Sequence, residues 1–179
     1  MSISPNYNTD FEYEKQGKQV LTCAQLGLAP LQQLLSRFGL TVVEVDKHFD
    51  IPGSYWGAPE AGIIGHILYV QEDTPIHSAL HEACHYICLD EARRNGLHTD
   101  AGGDYDEENG VCYLQILLSD FLPTMGRVRM WQDMDAWGYT FRLGSTQAWF
   151  EKDAEDARQW LIHYCIIDIN EQPTWSVRK

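Results

Sequence analysis

Five consecutive residues constrain this chain more than any others: His81-Glu82-Ala83-Cys84-His85, an HExxH motif. The surrounding segment is expected to be helical, and residues four apart share one face of a helix. Both imidazoles can then reach a single metal ion. Glu82 projects beside them, near enough to work on a water held by that ion. Any fold the chain adopts has to carry this helix with its histidine face accessible. The chemistry it points to is metal-assisted hydrolysis, with one zinc ion per chain.

The flanking sequence supports a helix there. Asp73-Thr74-Pro75 reads as its start, with Asp73 or Thr74 capping the free amides and proline favoured in the first turn. Asn95-Gly96 reads as its end, which predicts a helix to about Arg94. Ahead of it, leucines at helical spacing predict a helix over 22–38, interrupted early by Pro30. Residues 40–45 and 63–70 read as two strands. The proline- and glycine-bearing stretch between them is a loop whose Tyr55 and Trp56 either pack on the core or line a cleft. Behind the motif, helices are expected over 106–122, 128–137 and 147–169. The resulting fold class is α+β: a small mixed or antiparallel sheet packed on the HExxH helix, followed by a mainly helical C-terminal half. Residues 1–18 are polar and read as a loosely ordered tail. Residues 19–179 read as one domain, the usual size for a single core.

Composition narrows the function further. The 179 residues are 44% hydrophobic and carry 26 acidic against 13 basic side chains, a formal charge of −13. A field of that sign repels phosphate backbones and anionic lipid, so neither nucleic acid nor membrane is an expected partner. No apolar run is long enough to span a bilayer, and the N-terminus lacks a basic start with an apolar stretch. Cytoplasmic residence is the expectation. The five cysteines are Cys23, Cys84, Cys88, Cys112 and Cys165. An odd, scattered set is no disulfide framework. Cys84 and Cys88, four apart on the motif helix, either join a metal site or are buried reduced thiols, the commoner case.

Two histidines do not complete a catalytic zinc site, which uses three protein ligands and leaves one position for water. Candidates for the third are His98, Asp100, Asp104, Asp106, Glu107 and Glu108. On a helix over 106–122, Val111, Leu114, Leu118, Phe121 and Leu122 cluster on one face at 100° per residue. Glu107 falls near the centre of that face, and a carboxylate aimed at a core is costly unless a charge or a metal meets it. Glu107 is therefore the expected ligand. Glu108, about 100° away beside Gln115 and Ser119, is the alternative. The helix start decides between them. Asp104, after two glycines, reads as a turn residue and helix cap before a ligand.

A strand, a helix with HExxH and a second helix with a glutamate together resemble the zincin metallopeptidases in their gluzincin arrangement. The compact form is similar to the minimal ImmA/IrrE-like peptidases. Their second-helix pattern is matched here by Glu107, Gly110, Tyr113 and the pair Leu117-Leu118. The likeness spans about residues 63–118. The alanine-asparagine pair usual in that helix is absent, and Pro123 comes later than the family's proline.

The resemblance implies a zinc metallopeptidase of protein or peptide substrates. His81, His85 and Glu107 (or Glu108) would hold the ion, and Glu82 would act as general base on a metal-activated water. It also implies that the strand before the motif helix, 63–70, borders the cleft and accepts a substrate strand. Tyr139, Arg142 and His163 are the candidate donors to the transition state. Two alternatives stand beside this. One is a non-catalytic regulatory or protein-binding module on the same scaffold, with the tryptophan-rich C-terminal third as partner surface. The other is a metal-assisted hydrolase of a non-peptide amide. An intact Glu82 argues against the first, since a structural site has no use for a general base.

Overall fold

A computed structural model describes residues 19–179, so the tail expected over 1–18 lies outside the described residues. Among the described residues the fold is α+β, with eight helices and one three-stranded sheet. No helix among them is long and apolar enough to cross a membrane.

The described residues begin with two short helices, α1 (Cys23–Leu26) and α2 (Leu28–Ser36). Thr22 and Gln25 form a reciprocal capping box at the start of α1. The break expected at Pro30 falls instead at Gly27, whose φ of 81° suits glycine. Pro30 lies in the first turn of α2, where a missing N–H forfeits no helical bond.

Strands β1 (Thr41–Glu44), β2 (Gly62–Ile64) and β3 (Ile67–Val70) form a sheet of order β1-β3-β2. β1 runs parallel to β3, and β2 antiparallel to it. The single strand expected over 63–70 is thus a hairpin. Gly65, at φ 56°, turns the chain back on itself. The outer side of β2 is also taken. Ile63 N–H donates to the Gly53 carbonyl at 3.2 Å, Thr99 N–H to the Ile63 carbonyl at 3.0 Å, and Gly65 N–H to the Leu97 carbonyl at 2.8 Å. β3 is central, and Ile63 has no unused backbone group for an added substrate strand.

The motif helix α3 (Ile76–Cys88) follows. Its start is tied to the segment just before α1 rather than capped by a side chain. Ile76 N–H donates to the Leu21 carbonyl at 2.8 Å, and Thr74 Oγ1 accepts from Gln71 N–H at 2.8 Å. The helix stops six residues short of Arg94. Leu89 is extended (φ −62°, ψ 142°), and Asp90 caps a separate short helix, α4 (Glu91–Asn95).

Helix α5 (Tyr105–Ser119) is the centre of the molecule. Asp104 caps it, accepting from Glu107 N–H at 2.9 Å, as the turn-and-cap reading expected. From Gly110 to Ser119 every residue is buried, so this part of α5 is enclosed on all sides rather than on one face. α3 packs on one side and α8 (Glu155–His163) on another. Gly110 lets Trp160 of α8 approach, since a Cβ there would stand 2.8 Å from the indole ring. Helices α6 (Gly126–Trp137) and α7 (Thr146–Lys152) complete the set. The helix expected over 147–169 breaks at Asp153-Ala154, and Ile166 and Ile167 leave it to pair with Thr174 and Pro173.

Candidate metal centre

His81 and His85 project from the same face of α3, with their Nε2 atoms 3.1 Å apart. Glu108, in the first turn of α5, meets both. Its Oε1 is 3.3 Å from His81 Nε2 and its Oε2 is 3.5 Å from His85 Nε2. Among the described residues these three form the one group of histidine, cysteine and acidic side chains whose donor atoms lie close enough to share an ion. The spacing suits zinc: ligands at about 2.0–2.1 Å in a tetrahedron stand roughly 3.3–3.4 Å apart.

The adjacent carboxylate goes elsewhere. Glu107, 4% exposed, turns away from the histidines. Arg93 Nη1 and Nη2 donate to its two oxygens at 3.0 and 2.5 Å, and Arg178 Nη1 donates to Oε2 at 3.0 Å. The expectation that Glu107 joins the histidines is therefore corrected to Glu108. A buried carboxylate does need a cation, but here the cations are guanidinium groups of the chain itself. The apolar face of α5 does not mark the side that meets α3, because the helix is buried all round from Gly110 to Ser119.

Gln115 fixes the orientation of His81. It lies seven residues after Glu108, two turns along the same face. Its Nε2 donates to the His77 carbonyl at 3.4 Å, which directs Oε1 to His81 Nδ1 at 2.7 Å. His81 Nδ1 then carries a proton, and Nε2 is the ring nitrogen that faces the cluster. Sequence reading placed Gln115 beside Glu108 but gave it no role. The available signal was a lone amide in the apolar run Val111–Leu118.

The electrostatics follow from crowding. Burial opposes charge on His81, but Tyr139, Cys112 and Glu108 outweigh it and lift the pKa well above the usual histidine range. Burial, reinforced by a charged His81, lowers His85 to about 4. Glu108 is held down at about 2 because the two imidazoles override the effect of burial. Glu82 goes the other way. Burial raises it to about 7, with His81 opposing and Glu60, Glu108 and Asp100 adding to the rise.

The cluster and Glu82 line a cavity of about 970 Å³. That lies at the upper end of the range usual for ligand sites, roughly 300–1,000 Å³. Its walls include Tyr55, Trp56, Tyr105, Trp137, Tyr139 and Phe141. Tyr55 and Trp56 are both more than half exposed and pack edge to face at 4.8 Å, so they line the cleft instead of joining the core. Of the three candidate donors, Tyr139 packs on the cluster, its ring centroid 5.7 Å from that of His81. Arg142 also borders the cavity, but Asp153 holds its guanidinium in two hydrogen bonds. His163 is on α8 against Tyr164 and does not line the cavity. Asp100 lines it, whereas His98, Asp104, Asp106 and Glu107 do not. Cys84 and Cys88 are buried free thiols away from the cavity lining, with burial raising both pKa values. No family model, curated protein or solved structure matches this chain.

Proposed function

We propose that the chain is a zinc-dependent metallopeptidase with a gluzincin-like ligand set of His81, His85 and Glu108. The observation that carries this reading is the convergence of two imidazole nitrogens, 3.1 Å apart, and one carboxylate whose two oxygens lie 3.3 and 3.5 Å from them, on the wall of an open cavity beside Glu82. The five unpaired thiols are compatible with a reducing, cytoplasmic setting and with protein or peptide substrates found there.

Zinc, when bound, supplies Lewis acidity, lowering the pKa of a water toward ~7 and polarising a substrate carbonyl. The chain supplies the rest. Gln115 keeps the Nε2 lone pair of His81 directed at the ion. Glu82 removes the proton from the attacking water and passes it to the leaving amine. A pKa of about 7 suits both halves of that task near neutral pH. Tyr139 keeps its phenolic proton because burial raises its pKa, and it donates that hydrogen bond to the developing oxyanion. The aromatic walls take up bulky substrate side chains and exclude water from the reacting bond.

Metal analysis of the purified protein should find about one zinc per chain, as a three-ligand site requires. Glu82→Gln should keep that zinc and lower peptide turnover by about 10²–10⁴-fold. Unchanged turnover in Glu82→Gln would remove the catalytic role. Full zinc loading with no hydrolysis of any peptide by the native chain would favour a non-catalytic binding module.

A further inference from the structure

We infer that Arg178, together with Arg93, is a positioning residue for the proposed metal centre, acting through Glu107 to set the aim of Glu108. The inference rests on the reading of His81, His85 and Glu108 as ligands.

Arg178 ties the two ligand-bearing helices together. Its backbone N–H donates to the Ile87 carbonyl at 2.9 Å, and its Nη1 reaches the Cys88 carbonyl at 3.4 Å and Glu107 Oε2 at 3.0 Å. Ile87 and Cys88 are the last two residues of α3, and Glu107 is in the first turn of α5. One guanidinium therefore spans the end of the histidine helix and the start of the glutamate helix. It is held from both sides. Arg94 Nη2 donates to the Arg178 carbonyl at 2.7 Å, and the Arg178 guanidinium lies 3.7 Å over the Tyr164 ring. Arg93 adds a two-pronged grip on Glu107, and Asp90 in turn accepts from Arg93 Nε at 2.7 Å.

The lever is short. Each helical residue turns the chain by about 100°, so fixing Glu107 on the arginines fixes Glu108 toward α3. The chain closes tightly over Glu107: a Cβ on Gly103 would stand 2.8 Å from its Oε1. Without its cations, Glu107 would be an uncompensated buried charge, and the first turn of α5 would rotate or open to relieve it. Ligand sites tolerate displacements of only about 0.5 Å, so Glu108 would leave the cluster.

The test is zinc affinity by chelator competition, with Co2+ absorption reporting ligand geometry. Arg178→Met should weaken zinc binding about 10–100-fold, the size of effect usual for residues that orient ligands. Arg178→Lys should recover part of the loss. In a Glu108→Ala background, Arg178→Met should cost little more. An equal loss in that background would mean general destabilisation and overturn the inference, as would native affinity in Arg178→Met. Arg93→Lys, which keeps the charge but not the fork, gives the same comparison should Arg178→Met fail to fold. Hydrogen exchange on metal-free protein separates this inference from the proposed function. Arg178→Met should speed exchange at the amides of Glu107, Glu108 and Asn109 and leave those from Val111 to Ser119 unchanged. Unaltered exchange there overturns the positioning role whether or not zinc binds. A native chain that takes up no zinc overturns the metallopeptidase reading instead.

Discussion

Glu107 and Glu108 are neighbours on one helix turn, yet they belong to two different kinds of charge cluster. Glu107 is buried between Arg93 and Arg178. The side chain of Glu108 is 49% exposed and faces two imidazoles on the wall of a cavity. Both satisfy the rule that a carboxylate leaving water needs positive charge. The difference lies in whether that charge can be exchanged. Guanidinium groups stay protonated at any ordinary pH and are covalently part of the chain, so the Glu107 cluster is closed. An imidazole can exchange its proton for a metal ion, so the Glu108 cluster has room for a removable cation. The closed cluster holds the helices in register, and the open one is placed to do chemistry.

Removing one carboxylate at a time would break this comparison most directly. Glu107→Ala leaves two guanidinium groups without their shared partner and should cost roughly 3–5 kcal/mol of stability in urea unfolding. Glu108→Ala, at a half-exposed site, should cost about 1 kcal/mol or less in metal-free protein, yet sharply weaken zinc retention on dialysis. Equal stability losses, or zinc loss confined to Glu107→Ala, would mean that the two clusters have been assigned the wrong way round.

A smaller effect sharpens the open side alone. Gln115→Leu removes the acceptor for His81 Nδ1 and should weaken zinc binding about 10–100-fold. Zinc affinity equal to that of the native chain would show that His81 needs no anchor.

The smallest effect concerns the edge of the closed cluster. Hydrogen bonds from the Arg93 backbone and side chain hold Asp90 at about 2, below its ordinary 3.8. A depressed carboxylate pKa stabilises the fold above the unfolded value and ceases to do so as pH falls through the folded one. The thermal midpoint of Asp90→Asn should thus lie slightly below that of the native chain above about pH 4, and the gap should close toward pH 2. A gap that persists at pH 2 would show that the carboxylate's charge is not its source.

Local readings succeeded where the signal was local. β1 and α6 fall within two residues of expectation, and Asp104 caps α5. They failed where distant chain segments supplied the partners. Leu21, far from the motif in sequence, takes the place of a side-chain cap on α3. Leu97 and Thr99 cover the outer edge of β2, within the segment 63–70 that the sequence marks as a substrate-pairing strand. Leu89-Asp90 ends α3 early without any proline or glycine to announce it.

The sequence by itself determined that His81 and His85 share one face with Glu82 beside them, because four residues of helix are enough to impose it. It also left two adjacent glutamates as the leading candidates to meet the histidines, because on a helix over 106–122 Glu107 falls on the apolar face and Glu108 beside Gln115 and Ser119. Only the tertiary structure decided between them. That choice depended on where Arg93 and Arg178 come to rest and on which side of α5 faces α3. Neither is written in the periodicity of α5, because a helix enclosed on every side from Gly110 to Ser119 carries no polar stripe there to show its orientation.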